Sequence, residues 1–322
     1  MTSSSDENKV SVIIPTYNRA PFLTSAVHSI ISQVYNNIEI LIIDDKSDDD
    51  TRAVVKKLQQ KYPSVLYFHN ERAKGPSGAR NTGITKSSGD YICFLDSDDI
   101  WLEGHLKKGL EVFYKYPEID VLFGNFRVVD YKSGKHLYNF FDQKDLLHDL
   151  KAVEISPGTM LLQDNLFMAL IQGNFFHLGS IIVRKASMKG ILLDENIMFA
   201  EDRDFAINLY KEANATFAFR KEPVFELLRH DSNLCNTPDS ANEQDILEAH
   251  LHLFSKYLKL YDLSNIEKKV LNRQIVQKLS ALSYIHGRKK EYRNALSCIV
   301  ESLKYGFTST QFKALIKLFL FI

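Results

Sequence analysis

The chain has 322 residues, with 40 basic and 40 acidic side chains and therefore no formal net charge. A chain of this length can bury a substantial core without disulfides, and it corresponds to two domains or to one large domain with an appendage. A neutral chain has no global field that attracts nucleic acid or an anionic membrane. We therefore expect no nucleic-acid partner, and we expect any anionic substrate to be bound by local groups.

The cysteines and the N-terminus predict the compartment. There are three cysteines, Cys93, Cys235 and Cys298, and no two of them form a CxxC motif. Because an odd number cannot all pair in disulfides, we expect a reducing compartment with buried thiols. Residues 1–9 are polar, do not resemble a signal peptide, and are predicted to be disordered. No apolar run approaches the roughly 20 residues that a membrane-spanning helix needs. We expect a soluble, cytoplasmic protein.

From residue 10 to residue 99, short apolar runs alternate with amphipathic stretches. Strands are predicted at residues 10–14, 38–43, 65–69 and 91–95, and helices at 21–34, 51–62 and 78–86. The strands are almost continuously apolar, as strands buried on both faces are. This alternation predicts an α/β fold with a Rossmann-like, mostly parallel sheet flanked by helices.

The remainder of the chain is less regular and then purely helical. Helices are predicted at residues 102–114, near 161–171 and at 201–213, strands at 120–129, 135–141, 178–184 and 215–228, and loops over most of 142–175. Helices at 243–260, 264–286, 291–304 and 309–320, interrupted at Gly287 and Gly306, predict an all-α C-terminal extension.

Three polar clusters follow predicted strands, at residues 15–19, 44–49 and 96–99. Ligands of parallel sheets bind beyond the carboxyl ends of the strands. The three clusters are therefore expected to converge on one crevice.

The cluster at 96–99 is acidic, and in an extended segment Asp96 and Asp98 point the same way. Carboxylates this close repel each other unless a cation or a proton neutralises them. Mg²⁺ and Mn²⁺ prefer oxygen ligands such as carboxylates and substrate phosphates. The alternative is a solvated turn in which Asp99 caps the next helix. The position after a buried strand favours a metal, and within the segment Asp99 is the residue expected to be only a helix cap.

The other two clusters suit a nucleotide. Tyr17 can stack on a base and Arg19 can meet phosphate, although an ordinary turn with Asn18 as N-cap is the alternative. Asp44 and Asp45 lie too early to cap the helix near residue 51, which favours a ligand contact, whereas one aspartate of residues 48–50 is expected to cap it.

Three further segments allow two interpretations each. Residues 75–81 form a glycine-rich helix entry that suits an anion, yet they match neither a dinucleotide motif nor a P-loop. The acidic residues at 201–204 either stabilise a helix dipole or include a general base. His230 follows a predicted strand and is either a metal or phosphate contact or a structural histidine.

Taken in order, these motifs resemble glycosyltransferase family 2, whose catalytic domain has the GT-A fold. The matching segments are Val12–Arg19, Ile43–Thr51, Gly78–Gly83, Gly89–Asp99 and Glu201-Asp202. The resemblance covers about residues 10–235, and it implies a nucleotide-binding half at 10–105, an acceptor half at 106–235 and a helical region at 236–322. Lys46 and Asp50 replace glycines that are common in the family.

The resemblance implies an inverting transfer of a sugar from a nucleoside diphosphate donor, with Mn²⁺ or Mg²⁺ as cofactor. Asp98 would bind the metal directly, Asp96 would contact the ribose or the metal's water shell, and His230 would be a further metal or diphosphate contact. Asp202 would be the general base. The residues implied around the nucleotide are Pro15, Thr16, Tyr17, Arg19, Asp44, Asp45, Arg80 and Ser97.

The implied donor is a UDP-linked hexose or N-acetylhexosamine, and the implied acceptor is a saccharide or a lipid-linked saccharide in polysaccharide or glycoconjugate synthesis. The alternatives are a haloacid-dehalogenase-like phosphatase and an inactive nucleotide-sugar binding protein. The apolar segment 311–322, with Lys313 and Lys317, either makes a peripheral contact with the inner face of the membrane or packs on its neighbour. The sequence gives no basis for predicting the oligomeric state.

Overall fold

The structure, a computed structural model, describes residues 8–143, 150–164, 166–230 and 240–306. The chain forms two compact units, Met1–Leu166 with Phe175–His230 and Phe167–Asn174 with Asp231–Ile322. The predicted disorder before residue 8, the predicted helix at 309–320 and the predicted boundary at 235 lie outside the described residues. The division of the first unit into a nucleotide half and an acceptor half stays a prediction.

The beginning of the first unit alternates strands and helices as predicted. The elements are β1 (Val10–Thr16), α1 (Ala20–Ile31), β2 (Ile38–Asp44), α2 (Thr51–Lys61), β3 (Val65–His69), α3 (Pro76–Lys86) and β4 (Tyr91–Phe94). The four strands pair in parallel in the order β3-β2-β1-β4. Every residue of β1 and β4 is buried, because helices cover both faces of the central strands.

The second part of this unit extends the sheet on its β4 side. It contains β5 (Ile100–Trp101), α4 (His105–Lys115), β6 (Val121–Asp130), β7 (His136–Asn139), β8 (Lys151–Ser156), β9 (Thr159–Asp164), β10 (Ile182–Arg184), α6 (Glu201–Lys211) and β11 (Phe217–Arg229). The full order is β3-β2-β1-β4-β10-β6-β11-β9-β8. β10 is antiparallel to both neighbours, so β6 and β11 run in the direction of β4. The predicted α/β fold with a mostly parallel sheet is confirmed.

Two predictions in the middle of the chain are wrong. The region predicted as a helix from residue 161 begins instead with β9, which forms a hairpin with β8 around Pro157-Gly158; helix α5 spans Leu166–Gln172. In the predicted strand at 178–184, Leu178–Ser180 form a 3-10 turn and only Ile182–Arg184 are a strand. Short apolar runs do not distinguish a buried strand from a buried turn, so periodicity alone does not find these boundaries.

Helix α3 approaches its surroundings so closely that two of its glycines have no room for a side chain. A Cβ on Gly83 would lie 2.4 Å from Cγ2 of Ile13 in β1, and a Cβ on Gly78 would lie 2.0 Å from the carbonyl oxygen of Ala73. Because the second contact is with backbone, it cannot be relieved by a rotamer change.

Gly78→Ala is therefore expected to destabilise the protein by about 2 kcal/mol or more, as overpacking against a fixed backbone does. The matched control is Ser77→Ala in the same turn, because the buried Ser77 hydroxyl has no hydrogen-bond partner among the described residues. Urea unfolding of both variants gives the two free energies. Equal stabilities for Gly78→Ala and Ser77→Ala would show that the segment before α3 moves aside freely.

The second unit is helical over its described residues. After α5 it contains α7 (Ser240–Leu260), α8 (Asn265–Arg288) and α9 (Tyr292–Ser302), which agrees with the predicted helical extension. A capping box of Ser264 and Glu267 begins α8. Gly287 does not break this helix as predicted but lies in its last turn. None of the helices in the described ranges is long and apolar enough to cross a membrane.

Candidate active site

Asp98 lies where the ends of β1, β4 and β11 meet. Its Oδ2 accepts a hydrogen bond from Nε of Arg19, after β1, at 3.2 Å, and lies 3.1 Å from Nε2 of His230, after β11. The imidazole of His230 stacks on Phe22 with ring centroids 4.6 Å apart. The predicted metal ligands Asp98 and His230 are thus adjacent, although they are 132 residues apart in the chain. Arg19, which is 79 residues from Asp98, contacts the same carboxylate.

Asp96 and Glu201 share the buried guanidinium of Arg80. Nη2 of Arg80 donates to Oδ1 of Asp96 at 2.6 Å, and Nη1 donates to Oε1 of Glu201 at 3.1 Å. Arg80 is only 4% exposed, so both ion pairs are shielded from water. The resemblance placed Arg80 near the nucleotide base; in the structure its guanidinium joins the acidic segment to the first turn of α6.

The shared guanidinium affects its two carboxylates differently. Burial alone raises the pKa of Asp96, but Arg80 outweighs it and holds that pKa below its usual value. Burial, together with the neighbouring charge of Asp202, raises the pKa of Glu201 to about 7 against the opposing effect of Arg80. Asp96 is therefore the charged partner of Arg80 at neutral pH.

Asp99 is not a helix cap, contrary to the sequence analysis. Helix α4 begins at His105 with Gly104 as its N-cap residue, whereas Oδ1 of Asp99 accepts the backbone N–H of Leu228 in β11 at 3.0 Å. Asp99 is 3% exposed, and burial and then the charges of Asp98 and Asp96 raise its pKa well above its ordinary value. Its role is to attach the acidic segment to β11.

Asp202 lies in the first turn of α6, beside Glu201. The residue before this helix, Ala200, has the left-handed backbone angles φ 67 and ψ 25, which are strained for a residue with a Cβ. Oδ1 of Asp202 accepts the N–H of Arg203 at 2.7 Å. The acidic side chains of this turn stabilise the helix dipole, as one interpretation of residues 201–204 expects. The presence of a general base among them stays a prediction.

A second network fixes the segment that precedes α6. Glu195 accepts hydrogen bonds from Arg72 at 2.8 Å, from the backbone N–H of Ala73 at 3.1 Å and from Asn81 at 2.8 Å. Asn81 also exchanges two 2.9 Å hydrogen bonds with the backbone of Leu193. Arg80 and Asn81, consecutive residues of α3, therefore both hold the approach to Asp202. The sequence analysis did not identify Asn81, Glu195 or Glu201 as site residues.

Asp44 and Asp45 are buried and bonded within the chain. Asp44 accepts the hydroxyl of Tyr67 at 2.5 Å, and Asp45 accepts the Nδ2–H of Asn70 and the backbone N–H of Gly75, both at 2.7 Å. These bonds shape the end of β2 and the entry to α3. Contact of either carboxylate with a base stays a prediction.

Tyr17 is 43% exposed beyond β1, and the Lys74 ammonium lies 4.7 Å from its ring centroid. Pro15 and Thr16 are the buried last residues of β1, and Ser97 is buried within the acidic segment. A stacking face is thus present where the resemblance requires one, with a cation beside it.

The turns next to β1 and β2 have unusual backbone angles. Asn18 has φ 52, and its Oδ1 accepts the N–H of Asp48 at 2.9 Å, so it is not the N-cap of α1. Lys46 has φ 68, which explains why glycine is common in the family at that position. The N-cap residue of α2 is Asp50, which makes no side-chain capping bond; instead Oδ1 of Asp49 accepts the N–H of Thr51, the first residue of the helix, at 2.9 Å.

His177 lies close to the acidic segment and was missed by the sequence analysis. Ligand atoms of Asp96, Asp99 and His177 all lie within 4.8 Å of one another, a composition that also suits a metal. This group shares only Asp96 with the predicted set of Asp98, Asp96 and His230. The carboxylate oxygens of both sets fit Mg²⁺ or Mn²⁺. No local sequence signal distinguishes this single histidine from a structural one.

Solved structures with nucleotide sugars share this architecture. S. aureus TarS in complex with UDP-GlcNAc matches with a TM-score of 0.68 at 20% identity, over 97% of this chain and 89% of that chain. A mannosyltransferase from Pyrobaculum calidifontis, in complex with GDP-Man and Mn²⁺, matches with a TM-score of 0.61 at 15% identity, over 99% and 81%. The fold is of the GT-A type, that of nucleotide-sugar-dependent transferases.

Sequence comparisons define the family. The family model described as "Glycosyl transferase family 2" matches residues 11–168. A Campylobacter jejuni protein named GalNAc(5)-diNAcBac-PP-undecaprenol beta-1,3-glucosyltransferase is 30% identical over 304 residues, 92% of this chain and 88% of that protein. The Bacillus subtilis minor teichoic acid biosynthesis protein GgaB is 28% identical over 95% of this chain and 33% of its own length. The chain belongs to glycosyltransferase family 2.

The protein is therefore a glycosyltransferase, as the resemblance predicted. Family membership argues against the alternative of a haloacid-dehalogenase-like phosphatase, although Asp96 follows a strand in the way that a phosphatase nucleophile does.

Proposed function

We propose that this glycosyltransferase transfers a hexose or N-acetylhexosamine, with inversion, from a UDP-linked donor to a lipid-linked saccharide. The names of relatives support the acceptor: the C. jejuni enzyme is named for an undecaprenol diphosphate saccharide. An Escherichia coli relative, 38% identical over 128 residues, is named a UDP-Glc:alpha-D-GlcNAc-diphosphoundecaprenol beta-1,3-glucosyltransferase. The UDP-GlcNAc in the TarS structure supports the donor.

The observation that carries this proposal is the bridge made by Arg80. One buried guanidinium contacts Asp96, on the proposed donor side, and Glu201, next to the proposed base Asp202. In this proposal the bridge fixes the distance between Asp96, which binds the sugar donor, and Asp202, which activates the acceptor. The donor and the acceptor are then held in one orientation, which removes much of the entropic barrier to their reaction.

In the proposed reaction Asp202 accepts the proton of an acceptor hydroxyl. The hydroxyl oxygen forms a bond to the anomeric carbon on the face opposite the diphosphate. The bond between that carbon and the diphosphate oxygen breaks, and its electron pair stays with UDP. A single displacement of this kind inverts the anomeric configuration and needs no covalent enzyme intermediate.

The proposed divalent cation would be held by Asp98, Asp96 and His230. The fit rests on the donor set: carboxylate oxygens suit Mn²⁺ or Mg²⁺, and Nε2 of His230 lies 3.1 Å from Oδ2 of Asp98 at the end of the sheet. When bound, the cation offsets the negative charge that builds on the leaving diphosphate. In this proposal the guanidinium of Arg19 contacts the same diphosphate.

Removal of the metal is expected to weaken UDP binding by about tenfold or more, because the positive charge between the phosphates and the carboxylates is then absent. Titration calorimetry with Mn²⁺ and with excess EDTA measures the two affinities. Uridine, which lacks phosphates, is the control and is expected to bind with the same weak affinity in both conditions. Equal UDP affinity with and without the chelator would contradict the proposed metal site.

A further inference from the structure

The ring of His177 is held in one orientation. Its Nδ1 accepts the backbone N–H of Gly179 at 3.1 Å, at the start of the 3-10 turn. The rings of Phe126 and Phe225 lie beside it, with centroids 5.2 and 5.1 Å from that of the imidazole. Rotation of the imidazole would break the bond to Gly179 and disturb both aromatic contacts.

The bond to Gly179 fixes where the imidazole carries its proton. A nitrogen that accepts an N–H has no proton of its own, so the ring is neutral and its proton is on Nε2. Among the described residues, Nε2 makes no hydrogen bond, so this N–H is available to a ligand.

The same argument separates His177 from a metal ligand. A metal needs a free lone pair on a ring nitrogen; the lone pair of Nδ1 is used by Gly179, and Nε2 is protonated. The group has the composition of a metal site, but here His177 offers an N–H donor while Asp96 and Asp99 offer carboxyl oxygens. The ligand atoms of the three side chains lie within 4.8 Å of one another.

This combination suits a hydroxyl group, which donates one hydrogen bond and accepts others. One oxygen that makes two hydrogen bonds of about 2.8 Å can bridge groups roughly 4.5 to 5 Å apart. Ligand atoms of His177 and Asp96 lie within 4.8 Å of each other, so the ring lies beside the donor side of the site. The transferred sugar must occupy this region if the proposed function is right.

We propose that His177 is a specificity-determining residue of the sugar subsite: its Nε2–H donates to one hydroxyl of the transferred sugar, and that hydroxyl donates to Asp96. The inference rests on the proposed function, since it assumes a UDP-sugar between the acidic segment and Asp202.

The test uses UDP-sugars that each lack one hydroxyl, with wild type, His177→Gln and His177→Asn. In wild type, loss of the recognised hydroxyl is expected to lower kcat/KM by about tenfold or more, because one neutral hydrogen bond from His177 and one to the charged carboxylate of Asp96 are both lost. His177→Asn keeps an acceptor for Gly179 but lacks a donor at Nε2, so the same deoxy donor is expected to cost less there than in wild type, because only the bond to Asp96 remains to be lost. His177→Gln places an amide N–H near the position of Nε2 and is expected to restore part of the discrimination.

Two binding measurements separate this role from others. UDP lacks the transferred sugar, so UDP affinity is expected to stay within about twofold of wild type in both variants. The Mn²⁺ affinity, measured by electron paramagnetic resonance, is expected to stay within the same range. A loss of Mn²⁺ affinity of about tenfold in both variants would show that His177 is a metal ligand and overturn the proposal. His252→Gln, an exposed histidine of the second unit, is the control for substitution alone.

A wrong role for His177 and a wrong proposed function give different experimental results. If wild type transfers sugar from UDP donors but every deoxy donor behaves alike in wild type and His177→Asn, the assigned role of His177 is wrong. If wild type neither binds UDP nor uses a UDP-sugar, the proposed function is wrong, and the role of His177 with it.

Discussion

Asp202→Asn is expected to lower the rate of sugar transfer by about 10³-fold and to leave UDP affinity unchanged. Loss of a general base typically costs 10²- to 10⁴-fold, because an amide cannot take the proton of the acceptor hydroxyl. The amide has nearly the same shape as the carboxylate, so the start of α6 and its bond to Arg203 are expected to persist. Asp96, which is proposed to contact the UDP-sugar donor, is paired with the other arm of Arg80 and is not altered by the substitution.

The measurement is single-turnover transfer from a UDP-sugar, with UDP binding followed by calorimetry on the same preparations. Glu212→Gln is the matched control, since Glu212 is an exposed acid at the opposite end of the same helix. Its rate is expected to equal that of wild type. A transfer rate near wild type in Asp202→Asn would show that another group is the base. Binding of UDP without any transfer by wild type would favour the inactive binding protein.

Arg80→Met is expected to destabilise the protein by about 3 kcal/mol or more, the cost of leaving a buried charge without its partner. The side chain of Arg80 is 5% exposed, and those of Asp96 and Glu201 are 30% and 18% exposed. Removal of the guanidinium leaves the charged carboxylate of Asp96 without its partner. Arg80→Lys is expected to recover part of this loss, because one ammonium cannot match the two-armed geometry of the guanidinium.

Urea unfolding of the variants gives the free energies. Arg72→Met is the comparison, since Arg72 also pairs with a glutamate but its side chain is 38% exposed, and the loss of a solvated ion pair typically costs about 1 kcal/mol or less. The double variant Arg80→Met/Asp96→Asn is expected to be more stable than Arg80→Met, because the uncompensated charge of Asp96 is removed. If Arg80→Met costs no more than Arg72→Met, the bridge does not hold the site together.

The parallel part of the fold was predictable because its signals are local. β1, β2 and β4 are buried on both faces, so each is a continuous apolar run, and each is followed by a polar turn. The β8–β9 hairpin lacks this signal: β8 is largely exposed or half-buried, and its apolar residues show no regular alternation. Pro157-Gly158 was the one local indication of a turn there.

The location of the site was predictable, but the partners of its residues were not. Strand ends place Asp98, Arg19 and His230 together because parallel strands bring their carboxyl ends to one edge. The bond from Asp99 to Leu228 joins residues 129 apart, and the ion pair of Arg80 with Glu201 joins residues 121 apart. Pairings at such separations depend on the packing of the whole unit, and no local pattern encodes them.

The most direct test of the account is a thermal-shift comparison of wild type and Asp98→Asn with UDP-, GDP- and dTDP-sugars in the presence of Mn²⁺. A ligand that binds the native state raises the apparent melting temperature. We predict that UDP-sugars give the largest shift in wild type, and that this shift is lost in Asp98→Asn and in the presence of a chelator. An equal UDP-sugar shift in Asp98→Asn, or a shift with GDP-sugars alone, would contradict the proposed metal-dependent UDP-sugar site.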